Sequence, residues 1–227
     1  MGRRTPLAAL ALVALLAGCG GGGSSGNGEA DRSASQILVD AKAAARNASS
    51  VHVHGTINTN GRPLKIDLRI DSSKGGKGTL TINGSNVDLV RIGDTAYIRG
   101  SEAFYRQVAG PAAAALLKGK WLKASAKTGD LASLAELTDM NTLFNEALKP
   151  EGTLSKGDEA TVDGQKVIAV KDKDRGTLYV ATTGDAFPIE ITRPSGDSGG
   201  NVHFDDWNET VELQAPQGAI DLSKLGG

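Results

Sequence analysis

The segment "LKIDLRI" places Leu64, Ile66, Leu68 and Ile70 in alternation with Lys65, Asp67 and Arg69. Successive side chains of a strand point to opposite faces of its sheet, so this strand has one apolar face and one wet face. A fully buried parallel sheet is excluded here, and antiparallel neighbours over a one-sided core are required. The flanks supply them. Asn60-Gly61 is a hairpin turn signal, and Lys74-Gly75-Gly76-Lys77 interrupts the chain on the other side. "GTLTINGSNVDLVRIGDTAYIRG" adds further strands divided at Asn83-Gly84 and Gly93-Asp94. The pattern predicts a meander of about five antiparallel strands over Val51–Ile98. In "NVDLVRI" Val87 and Leu89 alternate against Val90 and Ile92, so the strand pattern leaves the register open there.

Helical spacing appears on both sides of this meander. Ser33 and Ser35 are N-cap candidates ahead of Ile37, Leu38, Ala41, Ala44 and Ala45, which predicts a helix over Ala34–Ala48. After the meander, "SEAFYRQVAGPAAAALLKGKW" and "DLASLAELTDMNTLFNEALKP" carry cap candidates at Ser101, Asp130 and Asp139, and Pro150 closes the last helix. Strands return from Gly152, over Lys166–Lys171, Thr177–Thr182, Phe187–Arg193, Asn201–Trp207 and Thr210–Gln214. Helix, meander, helices, meander is an α+β order with a mostly antiparallel sheet of about ten strands.

The N-terminus bears on location. Arg3 and Arg4 precede an uncharged apolar run, Leu7–Ala17, too short to span a bilayer and of the length of a signal-peptide core. The run ends in Leu16-Ala17-Gly18-Cys19, which resembles the lipobox of bacterial lipoprotein precursors. The resemblance implies cleavage before Cys19, acylation of its thiol and anchoring at the outer face of the cell membrane. Cys19 is the one cysteine of the chain, so no disulfide is available and an ordinary apolar core must hold the fold. The formal net charge of −1 falls by two, to −3, when Arg3 and Arg4 leave with the leader. A weakly acidic domain carries no footprint for nucleic acid, and the membrane contact rests on the lipid. The expected organisation is a leader over 1–18, a lipidated Cys19 with a Gly/Ser tether to Arg32, and one domain over 33–227.

The lipobox, the element order and the stretches "TVDGQKVIAV", "GTLYVATTGDAFPIEI" and "FDDWNETVELQAP" together resemble the actinobacterial lipoproteins of the LppX/LprG type, relatives of the LolA and LolB carriers. The resemblance implies a half-barrel: a strongly curved antiparallel sheet whose concave side is plugged by helices. It implies a cavity between the two that takes the acyl chains of a lipid or lipoglycan; an envelope transporter is a further partner to be expected of an envelope lipoprotein. The residues expected to line it are Leu64, Ile66, Leu68, Ile70, Leu80, Ile82, Tyr97, Tyr105, Leu116 and Trp121, with Tyr97, Tyr105 and Arg106 at the mouth. Ala112–Ala115, on the helix meant to cover the sheet, would leave volume unfilled. The competing reading is an envelope lipoprotein that docks a protein partner and fills its cavity with its own side chains.

Chemistry is hard to find. Gly196-Asp197-Ser198-Gly199-Gly200 spells the nucleophile segment of trypsin-like proteases, but it falls between two expected strands, where Gly, Asp and Ser make a hairpin loop. His52 and His54 share one face of a strand at a metal-chelating spacing, with His203 or Asp205 as completing ligands. Nothing in the sequence sets the two segments side by side, so they read as ordinary surface histidines. Asp205 and Asp206 are expected on opposite strand faces. No enzyme, no metal and no cofactor is expected.

Overall fold

The computed structural model describes residues 26–129, 131–197 and 199–224. The leader, Cys19, Asp130 and Ser198 lie outside the described residues. The first helix, α1 (Ala34–Asn47), begins with a capping box: Ser33 Oγ accepts from the Gln36 amide while Gln36 Oε1 accepts from the Ser33 amide. Its buried stripe is Ile37, Leu38, Ala41 and Ala45. The meander follows as β1 (Ser50–Thr59), β2 (Arg62–Asp71), β3 (Gly75–Ile82), β4 (Ser85–Ile92) and β5 (Thr95–Gly100). Then come α2 (Glu102–Leu117), β6 (Leu122–Ser125), α3 (Ala132–Glu136) and α4 (Met140–Ala147). The chain finishes with β7 (Leu154–Val162), β8 (Gln165–Asp172), β9 (Gly176–Ala181), β10 (Pro188–Arg193), β11 (Gly200–Asp205) and β12 (Ile220–Asp221).

All twelve strands form one open, strongly curled sheet in the order β12-β6-β5-β4-β3-β2-β1-β11-β10-β9-β8-β7. Every pairing is antiparallel except β12 on β6. The two meanders are joined at one seam, where β1 pairs with β11. Alternation then sorts the side chains. Val51, Val53, Leu68, Ile70, Leu80, Val87 and Leu89 face the helices and are buried, which settles the register of β4 in favour of Val87 and Leu89. α2 packs on β4 and β5, α3 on β4, and α1 on α4, β7, β8 and β10.

Several sequence expectations need correction. Among the described residues twelve strands replace about ten, because β6, β7 and β12 carry no readable strand pattern. Thr210–Gln214 makes no ladder, although Val211 is buried. The Ala112–Ala115 run does not cover the sheet. Gly110 (φ 83, ψ 171) and Pro111 kink α2, and of the four alanines only Ala114 is buried. The tether to Arg32 is docked from Asn27 onward: the Asn27 amide donates to the Thr182 carbonyl at 2.8 Å, and its side-chain amide donates to the carbonyls of Ala181 and Gly184. Glu29 is buried there, and burial followed by the nearby Asp40 raises its carboxyl above the ordinary range against the pull of Arg32. The described part of the Gly196–Gly200 string connects β10 to β11 as expected, held to the β1–β2 hairpin by Asn58 and Gly61.

Candidate functional site

The concave side of the seam is not completely filled. A cavity of about 320 Å³ lies between Val53, Ile57, Ile66, Ile191, Val202 and Phe204 on the sheet and Leu137, Leu143 and Ala147 on the α3–α4 elbow. A second, of about 520 Å³, adjoins it through Leu137 and is lined by Leu64, Leu80, Ile82 and Leu134, with Arg62 and Asn83 at its edge. A narrow extension shares Ala147, Ile191 and Arg193 with the first cavity and runs to Leu38 and Leu154. Together they make an apolar trough of the size of ligand pockets, open to solvent at the hairpin end of β1–β3. Glu136, Glu146 and Arg193 are the charged residues lining the 320 Å³ cavity, and Lys149, Asp172 and Arg175 line the extension. Burial, and then the neighbouring Arg175 guanidinium, lower the pKa of Arg193, while Glu151 acts in the opposite sense.

A polar latch ties the roof of the trough to β4. Arg91 on β4 donates through Nε to Thr138 Oγ1 at 2.8 Å and through Nη2 to the Thr138 carbonyl at 2.7 Å. Thr138 sits fully buried at the α3–α4 turn, and its hydroxyl donates to the Ala135 carbonyl. The elbow comes this close because Gly76 carries no side chain; a Cβ there would stand 3.0 Å from the Thr138 Cβ. Arg91→Ala is expected to cost about 1–3 kcal/mol, since it strands the buried Thr138 carbonyl. Faster amide exchange across 135–143 should accompany a lower melting temperature. Unchanged exchange and melting would show that packing alone seats the elbow.

The residues expected to line a cavity divide into three groups. Leu64, Ile66, Leu80 and Ile82 line the trough. Leu68 and Ile70 are closed into the core beside it. Tyr97, Tyr105, Leu116 and Trp121 lie elsewhere. Tyr97 alternates with the buried Ala96 and Ile98 and so faces away from the core. Tyr105 is buried under α2, where its hydroxyl accepts from the Gly100 amide at 3.0 Å, and burial raises its pKa against that bond. Leu116 is 68% exposed on the far side of the α2 kink. Trp121 carries the Arg99 guanidinium over its ring at 4.8 Å. Arg106 pairs with Glu102 on the surface of α2, away from the trough. Leu137, Leu143, Ile191, Val202 and Phe204 were missed, because only the seam and the elbow bring them together.

The convex side of the same seam is polar. The register sets His52 opposite Asp205 and His54 opposite His203. His52 Nδ1 lies 2.7 Å from Asp205 Oδ1, and His54 Nε2 lies 3.2 Å from Asp205 Oδ2. The rings of His52, His54 and His203 stack in succession at 4.8 and 5.2 Å. Among the described residues no hydroxyl hydrogen-bonds to any of these rings. Asp206 turns out of the strand at φ 45 and pairs with Arg69 at 2.7 Å. It also stands 3.8 Å from His52, so both carboxylates reach the same ring and the expectation of opposite faces is overturned.

No protein-family model and no curated protein matches this chain. Its structure is similar to that of LprF from Mycobacterium bovis, with a TM-score of 0.58 and 15% identity over 82% of this chain and 97% of the other. It is similar also to the Mycobacterium tuberculosis lipoprotein LppX, with a TM-score of 0.52 and 16% identity over 79% of this chain and 99% of the other. The half-barrel with its helical plug is thus the LppX-type fold that the sequence resembles.

Proposed function

We propose that this chain is an extracytoplasmic lipoprotein that holds the acyl part of a lipid or lipoglycan in the trough, without catalysing a reaction. The trough itself carries the reading. A sheet of buried alternation leaves apolar space over its seam, roofed by the α3–α4 elbow. Affinity comes from burying acyl methylenes, at about 0.8 kcal/mol each. Glu136, Glu146 and Arg193 offer polar contacts for a head group. Cys19, placed after a leader-like apolar run, attaches the protein to the outer face of the membrane, where several acyl chains suffice for stable anchoring. The shared fold with LppX, itself a lipoprotein, supports the same assignment. Hand-over to an envelope transporter fits a carrier of this kind.

The test uses residues 19–227 carrying Cys19→Ser, expressed in a bacterium without the leader and purified without detergent. Native mass spectrometry is expected to show discrete adducts of lipid mass that disappear on organic extraction. Expressed with its leader, the wild-type chain should incorporate labelled palmitate and the Cys19→Ser chain should not. A single bare peak, unchanged after incubation with phospholipid, would sink the lipid reading. It would leave a lipoprotein that docks a protein partner.

A further inference from the structure

The geometry points to a binding site for one divalent transition-metal ion on the convex side of the seam, made by His52, His54 and Asp205. One ligand atom from each lies within 4.8 Å of the other two. The donor set, two imidazoles and a carboxylate, suits zinc(II), copper(II) or nickel(II) and disfavours magnesium and calcium, which take oxygen ligands. Zinc bonds to nitrogen and oxygen of about 2.0–2.1 Å at tetrahedral angles set ligand atoms roughly 3.3 Å apart. The two His–Asp separations, 2.7 Å to Oδ1 and 3.2 Å to Oδ2, lie below that and the widest separation in the set, within 4.8 Å, lies above it, so side-chain rotation alone must part the carboxylate from the rings and draw the widest pair together. Three protein ligands leave a fourth position for water or an external donor.

The surroundings are those of a ligand set with a second layer. His52 presents Nδ1 to Asp205, and its other ring nitrogen, Nε2, lies 3.0 Å from Asp67 Oδ1. A histidine that binds a metal through one nitrogen and donates from the other to a carboxylate is fixed in tautomer and orientation. Asp67 reaches His52 from β2, on one side of β1, and Asp205 reaches it from β11, on the other. His52 is 15% exposed and His54 36%, so an ion enters directly from solvent. Asp206 adds negative charge 3.8 Å from His52. His203 is already engaged by Asp163 at 2.8 Å and stands outside the ligand set, stacked on His54.

The ion bridges β1 and β11, the strands that join the two meanders. Binding it therefore clamps the seam from the side opposite the trough, and the site is independent of whatever the trough holds. The experiment is isothermal titration of the leaderless chain, residues 19–227, untagged and carrying Cys19→Ser so that no thiol competes, with zinc(II) chloride in a non-chelating buffer. Saturation at one ion per chain is expected, with a melting temperature that rises with zinc by linkage. His54→Ala should abolish the saturable heat. Asp67→Asn, an exposed change that touches no ligand atom, should weaken binding about 10–100-fold. His54→Ala and Asp67→Asn should melt as the parent does in the absence of zinc, which separates loss of the site from loss of the fold. The proposal is overturned by the absence of saturable binding, or by binding that survives both His52→Ala and His54→Ala.

Discussion

Gly55→Ala is expected to open the seam of the sheet and to cost about 2–6 kcal/mol. Gly55 lies on β1 opposite Val202 of β11, with φ 151, a conformation that side chains rarely adopt. A Cβ built there falls 2.2 Å from the Asn201 carbonyl oxygen and 2.8 Å from the Val202 Cα, both backbone atoms that no rotamer can move aside. The cost combines about 1–3 kcal/mol for the backbone conformation with about 1–3 kcal/mol for the overlap. Gly84→Ala isolates the first part, since Gly84 has φ 77 and nothing within 4 Å of a Cβ. Chemical denaturation of the two variants beside the parent checks the difference. Equal losses would show that the strands part without strain and that the seam is not the weak joint. Because Val53, Ile57, Val202 and Phe204 floor the trough on the same two strands, the Gly55 variant should also lose its ligand, while the Gly84 variant keeps it.

What the sequence discloses depends on how far apart the deciding residues are. β2 is legible because each of its residues declares a face, and its neighbours follow from turns of two and three residues. β7 hides because it is an edge strand, exposed along most of its length, with a bulge between Lys156 and Glu159. A strand paired on one side and wet on both faces has no apolar period to read. β6 and β12, four and two residues long, are too short for any period. Thr210–Gln214 errs in the other direction, since an extended segment that buries Val211 without pairing shows the same alternation as a strand. The alanine run of α2 reads as a cover only if the helix is straight, and the Gly110-Pro111 kink turns most of it outward.

The two sites were legible to different depths. Leu64, Ile66, Leu80 and Ile82 declare themselves as inward residues, and the inward face of a curled sheet is where a cavity lies. The expected aromatic mouth failed, because Tyr97 sits on the wrong face and Tyr105 is consumed in seating α2 on β5. His52 and His54 were recognisable by spacing, but Asp205 joins them across 153 residues of chain. Only the pairing of β1 with β11 makes that juxtaposition, and a sheet order is not a property of any local stretch.

Ile57→Trp is expected to empty the trough of lipid without unfolding the protein. Ile57 is half-buried on the floor of the cavity, opposite Leu64 on β2 and Gly200 on β11, so its side chain already points into the space a ligand would take. An indole there fills part of the 320 Å³ and regains contacts that the void forfeits, so the ligand-free stability should hold or rise. Lipid adducts should fall at least about tenfold, a loss of roughly 1.4 kcal/mol in binding. Thermal melts with added phospholipid make the decision. The parent should gain about 2.7 kcal/mol at a hundred times its dissociation constant, and the variant should stay near its ligand-free value. Leu143→Trp on α4 narrows the same space from the roof and should act alike, which guards against a local fault in β1. If both variants keep their lipid and their ligand-dependent melting, the acyl chains lie elsewhere. The trough would then be packing space that the elbow closes on its own.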